Sequence, residues 1–165
     1  MKFSELYPLK RMYRMFWIKL LPVLPMRGTL RFKLMRLAGV DVTLGGELGG
    51  GFIGHGTKLD SLYPEDIHLE KCVRINMDCV IMTHHLRSNN FFRGNEPWFR
   101  RGPVTIKHHS FIGARTIICN SVTIGPNSIV GAGSVVTKDI PEGEIWGGNP
   151  CVFIKKRNLE ELPTE

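Results

Sequence analysis

Three consecutive residues, Thr83, His84 and His85, carry the most concentrated chemistry in the chain. They follow Val80, Ile81 and Met82, which read as a buried strand, and lead into a polar and aromatic stretch. Imidazole is the side chain that titrates near neutrality, so a histidine fixed at the end of a strand suits proton transfer. The same ring suits metal ligation, and two histidines on a loop are also ordinary surface residues. The chain has six histidines, His55, His68, His84, His85, His108 and His109, but their spacing places no set of three on one metal.

The elements that must hold these residues are legible as a repeat. Every sixth residue from Ile106 is Ile or Val: Ile106, Ile112, Ile118, Ile124, Val130 and Val136. Four positions after each stand Ser110, Thr116, Val122, Ser128, Ser134 and Ile140, mostly small or β-branched. One position after, three of six are glycine: Gly113, Gly125 and Gly131. In a helix six residues make about 1.67 turns, so the apolar positions would walk around its surface. A plain strand alternates at two and gives glycine no fixed place. Short strands joined by tight turns, each pointing one aliphatic side chain inward and wanting small residues at the turns, account for the pattern. The fold class is mainly β, a parallel β-helix solenoid of hexapeptide repeats whose coils share one core.

The phase continues upstream through Leu69, Ile75 and Ile81, and through Ile53 and Leu59. It breaks twice. The step from Leu59 to Leu69 implies an insertion around DSLYPED, and the step from Ile81 to Ile106 implies a long loop over residues 83–103. That loop holds Phe91, Phe92, Trp98 and Phe99 beside several arginines. Long loops in compact repeats commonly carry function. So many aromatics call for something to pack on, such as a neighbouring subunit.

Residues 1–39 form an N-terminal helical segment, 40–156 the solenoid domain and 157–165 a tail. Helices are expected over 9–21 and 29–38, the second ended by Gly39. These helices and a short C-terminal strand would cap the ends of the solenoid. The net charge of +7 favours an anionic partner, and much of it lies early, from Lys10 to Arg36. A solvated basic face explains it equally well. No nucleic-acid-binding signature is present. The apolar, basic stretch before Pro22 is too interrupted to span a bilayer. It suits either an anionic membrane surface or packing against the domain. Cys72, Cys79, Cys119 and Cys151 make no C-x-x-C pair or disulfide framework, which points to a reducing, cytoplasmic setting and to cysteines used as small buried residues.

The segment IGPNSIVGAGSVVTKDIPEGEIWGGNPCVFIKK resembles the hexapeptide-repeat acyltransferases, among them the galactoside, maltose and polysaccharide O-acetyltransferases. Its specific parts are the hexads, GAGSVVTKDIP and GGNP, and the resemblance runs over residues 40–156. It implies a left-handed β-helix, a homotrimer, and acetyl-CoA as co-substrate in a groove between solenoids, with no metal. It also implies a histidine acting as general base on an acceptor hydroxyl, which attacks the thioester directly.

Thr83–His84 matches the position of that base, so His84 is the expected catalytic residue. His85 stands where relatives often carry a carboxylate, which leaves Asp60, Glu65, Asp78 or a backbone carbonyl to orient His84. His85, Asp60 and Trp98 are the candidates for contacting the acceptor. Ala114, Ala132, Thr137, Lys138 and Lys155 match positions that meet coenzyme A, while Val152 replaces a basic residue of galactoside-acting relatives. The acceptor expected is a sugar, polysaccharide or lipid-linked glycan precursor. N-acetylation of an amino sugar or an antibiotic, a zinc enzyme on the same fold, and a non-catalytic solenoid are the rival readings.

Overall fold

The computed structural model describes residues 9–43, 51–86 and 99–158. Two helices lead. α1 (Leu9–Leu20) stops just before Pro22, which cannot continue it. α2 (Gly28–Leu34) tightens into a 3-10 turn, Met35–Ala38, and ends at Gly39 with φ 89°, the left-handed cap its sequence called for. α2 begins on glycine for a packing reason. A Cβ on Gly28 would lie 2.3 Å from the Phe52 ring and 2.8 Å from the Ile53 carbonyl oxygen, so the helix presses directly onto the first coil.

The strands that follow are two to five residues long and stack into three parallel sheets. The first sheet holds β1 (Asp41–Val42), β4 (Ile67–Leu69), β9 (Val104–Ile106) and β12 (Val122–Ile124). The second begins with β2 (Phe52–Ile53), β5 (Arg74–Ile75), β10 (Phe111–Ile112) and β13 (Ile129–Val130). β15 (Glu144–Gly147) extends it in parallel, and β16 (Val152–Lys156) closes it by turning back antiparallel. The third holds β3 (Lys58–Leu59), β6 (Val80–Ile81), β11 (Ile117–Ile118) and β14 (Val135–Val136). Register partners are Ile106 with Ile124, Ile112 with Val130 and Ile118 with Val136, so one coil is three hexads.

The hexad phase is the core. Ile106, Ile112, Ile118, Ile124, Val130 and Val136 are all fully buried, and so are the residues four positions after each. The four of those with hydroxyls, Ser110, Thr116, Ser128 and Ser134, satisfy them by donating to backbone carbonyls. Of the glycines one position after a core residue, Gly54, Gly113 and Gly125 are required by close approach, while a Cβ on Gly131 would meet nothing nearer than 3.5 Å. A Cβ on Gly113 would sit 2.4 Å from the Ala132 nitrogen, and one on Gly54 2.4 Å from the Met77 nitrogen. The left-handed corners fall three positions after the core residue: Gly56 and Gly133 take two of them, while Cys72, Asp78, His109, Arg115, Ser121 and Asn127 all have φ near 60°. The expectation that each turn takes a small residue therefore holds for most of the inter-coil contacts and for only some of the corners.

Ile118 stacks in register between Ile81 and Val136 and has no exposed surface. Ile118→Ala is expected to cost about 2–5 kcal/mol, read as a lower denaturation midpoint with the cooperativity of unfolding unchanged.

Arg31 departs from the solvated basic face. It is 2% exposed and donates to the carbonyls of Leu21, Leu24, Met26 and Ile53, tying the turn after α1 to the first coil. Burial lowers its pKa from the usual arginine value.

Candidate active site

The two breaks in the repeat occur at the same corner. One insertion follows β3 and the other follows β6, and these strands are neighbours, with Leu59 opposite Ile81. Side chains just after each strand end are thereby brought together. Asp60 follows Leu59, and Thr83 and His84 follow Ile81 by two and three residues.

The result is a tight pair. His84 Nδ1 lies 2.5 Å from Asp60 Oδ2. The same carboxylate oxygen accepts the Thr83 N–H at 2.9 Å, while Oδ1 accepts the N–H groups of Leu62 and Tyr63. Burial would raise the Asp60 pKa. The N–H donors of Thr83 and Leu62, the Thr83 side chain and the His84 ring more than offset this and hold it below the usual carboxylate value. The Asp60 side chain is 3% exposed and that of His84 22%, so the carboxylate is enclosed while the imidazole reaches solvent. With the carboxylate accepting at Nδ1, that nitrogen carries the proton and Nε2 carries the lone pair.

The DSLYPED insertion supplies the wall. Tyr63 stands edge-on to the His84 ring, with centroids 5.5 Å apart. Arg101 lies over the other part of that tyrosine at 4.4 Å, and Arg11 of α1 approaches it at 5.6 Å. Arg101 also pairs with Asp66 and Glu65, and Arg14 of α1 reaches Glu65 at 3.5 Å. The long loop leaves the corner as a two-stranded antiparallel stem, β7 (His84–Leu86) with β8 (Phe99–Arg101), so His84 sits at a fixed strand position opposite Arg101. Of the carboxylates that could have oriented His84, Glu65 faces these arginines and Asp78 occupies a left-handed corner.

His85 points away from this pair and meets Asn120 Oδ1 at 2.8 Å. Asn120 and Tyr63 are the partners the sequence reading missed. Tyr63 lay inside the flagged insertion, and Asn120 follows Ile118 by two, as Thr83 follows its register partner Ile81. Trp98, and most of the loop's aromatics, lie outside the described residues.

The expected coenzyme A positions do not gather around His84 in one chain. Ala114 and Ala132 stack at the corner that precedes β11 and β14, with the Gly133 N–H bonded to the Ala114 carbonyl at 2.8 Å. His84 sits at the corner that follows β6 in the same sheet. Thr137 and Lys138 are exposed at that second corner on the last coil, and Lys155 is exposed on β16. Between the two corners the sheet turns outward an apolar row, Val80, Ile117 and Val135. Among the described residues, no group of three or more His, Cys, Asp or Glu side chains is placed to hold a metal ion.

Residues 103–138 match the family model described as bacterial transferase hexapeptide (six repeats). The solenoid is a hexapeptide-repeat, left-handed β-helix. This hexapeptide-repeat chain is 34% identical over 128 residues to a Staphylococcus aureus (strain Mu50) protein provisionally named an acetyltransferase, covering 64% of this chain. The match spans 62% of that relative's length. The solved maltose O-acetyltransferase of Clostridium difficile 630 superposes with a TM-score of 0.69 at 26% identity, covering 93% of this chain and 89% of that one. A variant of AntD, an N-acyltransferase from Bacillus cereus bound to dTDP-4-amino-4,6-dideoxyglucose and coenzyme A, superposes with a TM-score of 0.59 at 27% identity, covering 72% and 65%.

Proposed function

We propose that this protein is an acetyl-CoA-dependent O-acetyltransferase acting on a hydroxyl of a sugar or glycan precursor, with His84 as general base. The observation that carries the reading is the Asp60–His84 pair, built where two insertions leave the repeat side by side. Asp60 holds the Nδ1–H tautomer, and Nε2 takes the proton of the acceptor hydroxyl as its oxygen attacks the thioester carbonyl. The tetrahedral intermediate collapses to the acetyl ester, and the coenzyme A thiolate leaves with the proton returned from the imidazolium. Backbone N–H groups are the expected donors to the oxyanion.

Acetyl-CoA as co-substrate rests on the resemblance, on the acyltransferase relatives, and on the AntD structure, which contains coenzyme A. Ala114 and Ala132 would admit the pantetheine arm close to the backbone, Thr137 and Lys138 would lie near the adenine end, and Lys155 would meet the nucleotide phosphates. Because these positions lie across the sheet from His84, the reading requires a second copy to complete the site, as in the expected homotrimer. The outward row of Val80, Ile117 and Val135 supports that association.

N-acylation of an amino sugar is the second reading, favoured by the AntD likeness. Coenzyme A release with matched hydroxy- and amino-sugar acceptors tests both. Release with the hydroxyl acceptor, giving a base-labile ester, supports O-transfer. Release with the amino sugar alone, giving a base-stable amide, overturns it in favour of N-transfer.

A further inference from the structure

From Leu9 to Val40 the chain has no aspartate or glutamate, yet it has eight lysines and arginines. The fold sorts these cations into two groups. Arg11, Arg14 and Arg31 turn inward, the first two to the DSLYPED insertion and the third to backbone carbonyls. The other five, Lys10, Lys19, Arg27, Lys33 and Arg36, are exposed.

The apolar residues of α1 are sorted in the same way. Ile18 is buried against the solenoid and Trp17 packs beside it. Leu9, Met12, Tyr13 and Phe16 instead face outward, with Leu9 85% and Phe16 58% exposed. Their spacing of three and four makes one stripe along the helix. At about 100° per residue, Lys10 and Lys19 fall on opposite flanks of that stripe. Just beyond the helix Val23 is exposed as well, at 60%. No helix among the described residues is long and apolar enough to cross a membrane.

We propose that this outer face of α1 docks the protein on an anionic lipid surface. The stripe enters the boundary between headgroups and acyl chains, and the flanking lysines extend their stems outward to meet the phosphates. Charge selects the lipid over a second copy of the chain. Two such faces brought together would oppose Lys10 and Lys19 with the same two lysines, with no acid between Leu9 and Val40 to pair them. An anionic headgroup layer neutralises them. The inward face of the same helix carries Arg11 and Arg14 to the insertion that walls His84, so docking holds the candidate site beside the bilayer. The binding surface itself does not depend on the acetyltransferase reading.

Vesicle flotation of the full chain tests the proposal, with phosphatidylglycerol–phosphatidylcholine vesicles set against phosphatidylcholine alone. The expected result is flotation with the anionic vesicles only, weakened by high salt. Phe16→Ser and the paired Lys10→Glu, Lys19→Glu variant should each weaken binding by about tenfold or more. The salt series on the wild type needs no variant, and thermal melting followed by circular dichroism checks that both variants fold. No flotation with either vesicle, or equal flotation with both, overturns the proposal. So does a Phe16-dependent change in sedimentation mass without vesicle binding, which would make the stripe a contact between copies.

Discussion

His84→Ala is expected to lower the rate of acetyl transfer by about 10²–10⁴-fold, the usual worth of a positioned general base. Acetyl-CoA affinity should stay within about twofold, because a residue that acts only on the acceptor proton contributes to the transition state and little to ground-state binding. The loss should therefore appear in kcat at saturating substrates, with KM for acetyl-CoA unchanged. His84 stands on the short β7–β8 stem and is not part of the hexad core, so its truncation should leave the melting temperature near that of the wild type. A variant that melts normally and binds acetyl-CoA normally, yet transfers at the wild-type rate, would remove His84 from the chemistry.

Asp60→Asn carries the second large effect, on both activity and stability. Each Asp60 oxygen accepts two N–H groups: Leu62 and Tyr63 on Oδ1, Thr83 and His84 on Oδ2. An amide has one oxygen and one NH₂, so the NH₂ faces either the N–H groups of Leu62 and Tyr63 or that of Thr83 beside His84, and at least one N–H donor then meets another donor. A buried N–H left unsatisfied costs about 1–3 kcal/mol, and the variant should melt at lower temperature. If the NH₂ faces His84, the ring is driven to the tautomer that has its proton on Nε2, which cannot accept one from the substrate. Where an aspartate orients a catalytic histidine in this way, the same change costs up to about 10⁴-fold in kcat. Loss of positioning is separable from loss of fold by a double-variant cycle. In the His84→Ala background, Asp60→Asn should lower stability, as it does in the wild type, but lower activity little further.

Asp60 also contributes to how stability depends on pH. Its carboxyl is held below the usual value when folded, so folding favours the carboxylate. The stabilisation is fully present above the ordinary carboxylate pKa and is lost progressively as pH falls from there through the depressed folded value. Asp60→Asn removes a titrating group, so a melting-temperature series from neutral to acidic pH should be flatter for the variant.

The solenoid was legible because its core is periodic. A residue that must point inward every sixth position leaves a mark in the sequence, and all six positions from Ile106 are buried. The two insertions were legible as breaks in that phase. Their meaning was less so. Only the register of Leu59 opposite Ile81 shows that both emerge at one corner, which is why Asp60 stood level with Glu65 and Asp78 as a partner for His84. Tyr63 is an aperiodic contact fixed by the insertion, and Asn120, though level with Thr83 in the repeat, becomes visible only once the coils are stacked in register. The basic N-terminal segment was ambiguous for another reason. Charge does not reveal which way a side chain points, and Arg31, read with the surface cations, is the most enclosed of them.

The most direct test of the account is a calorimetric titration of acetyl-CoA into the wild type and His84→Ala. Binding in the micromolar range and of similar strength is expected for both proteins, which reserves His84 for the proton transfer. No binding to either would contradict a coenzyme A-dependent transferase. Binding lost only in the variant would make His84 a ligand contact and would contradict its role as the base.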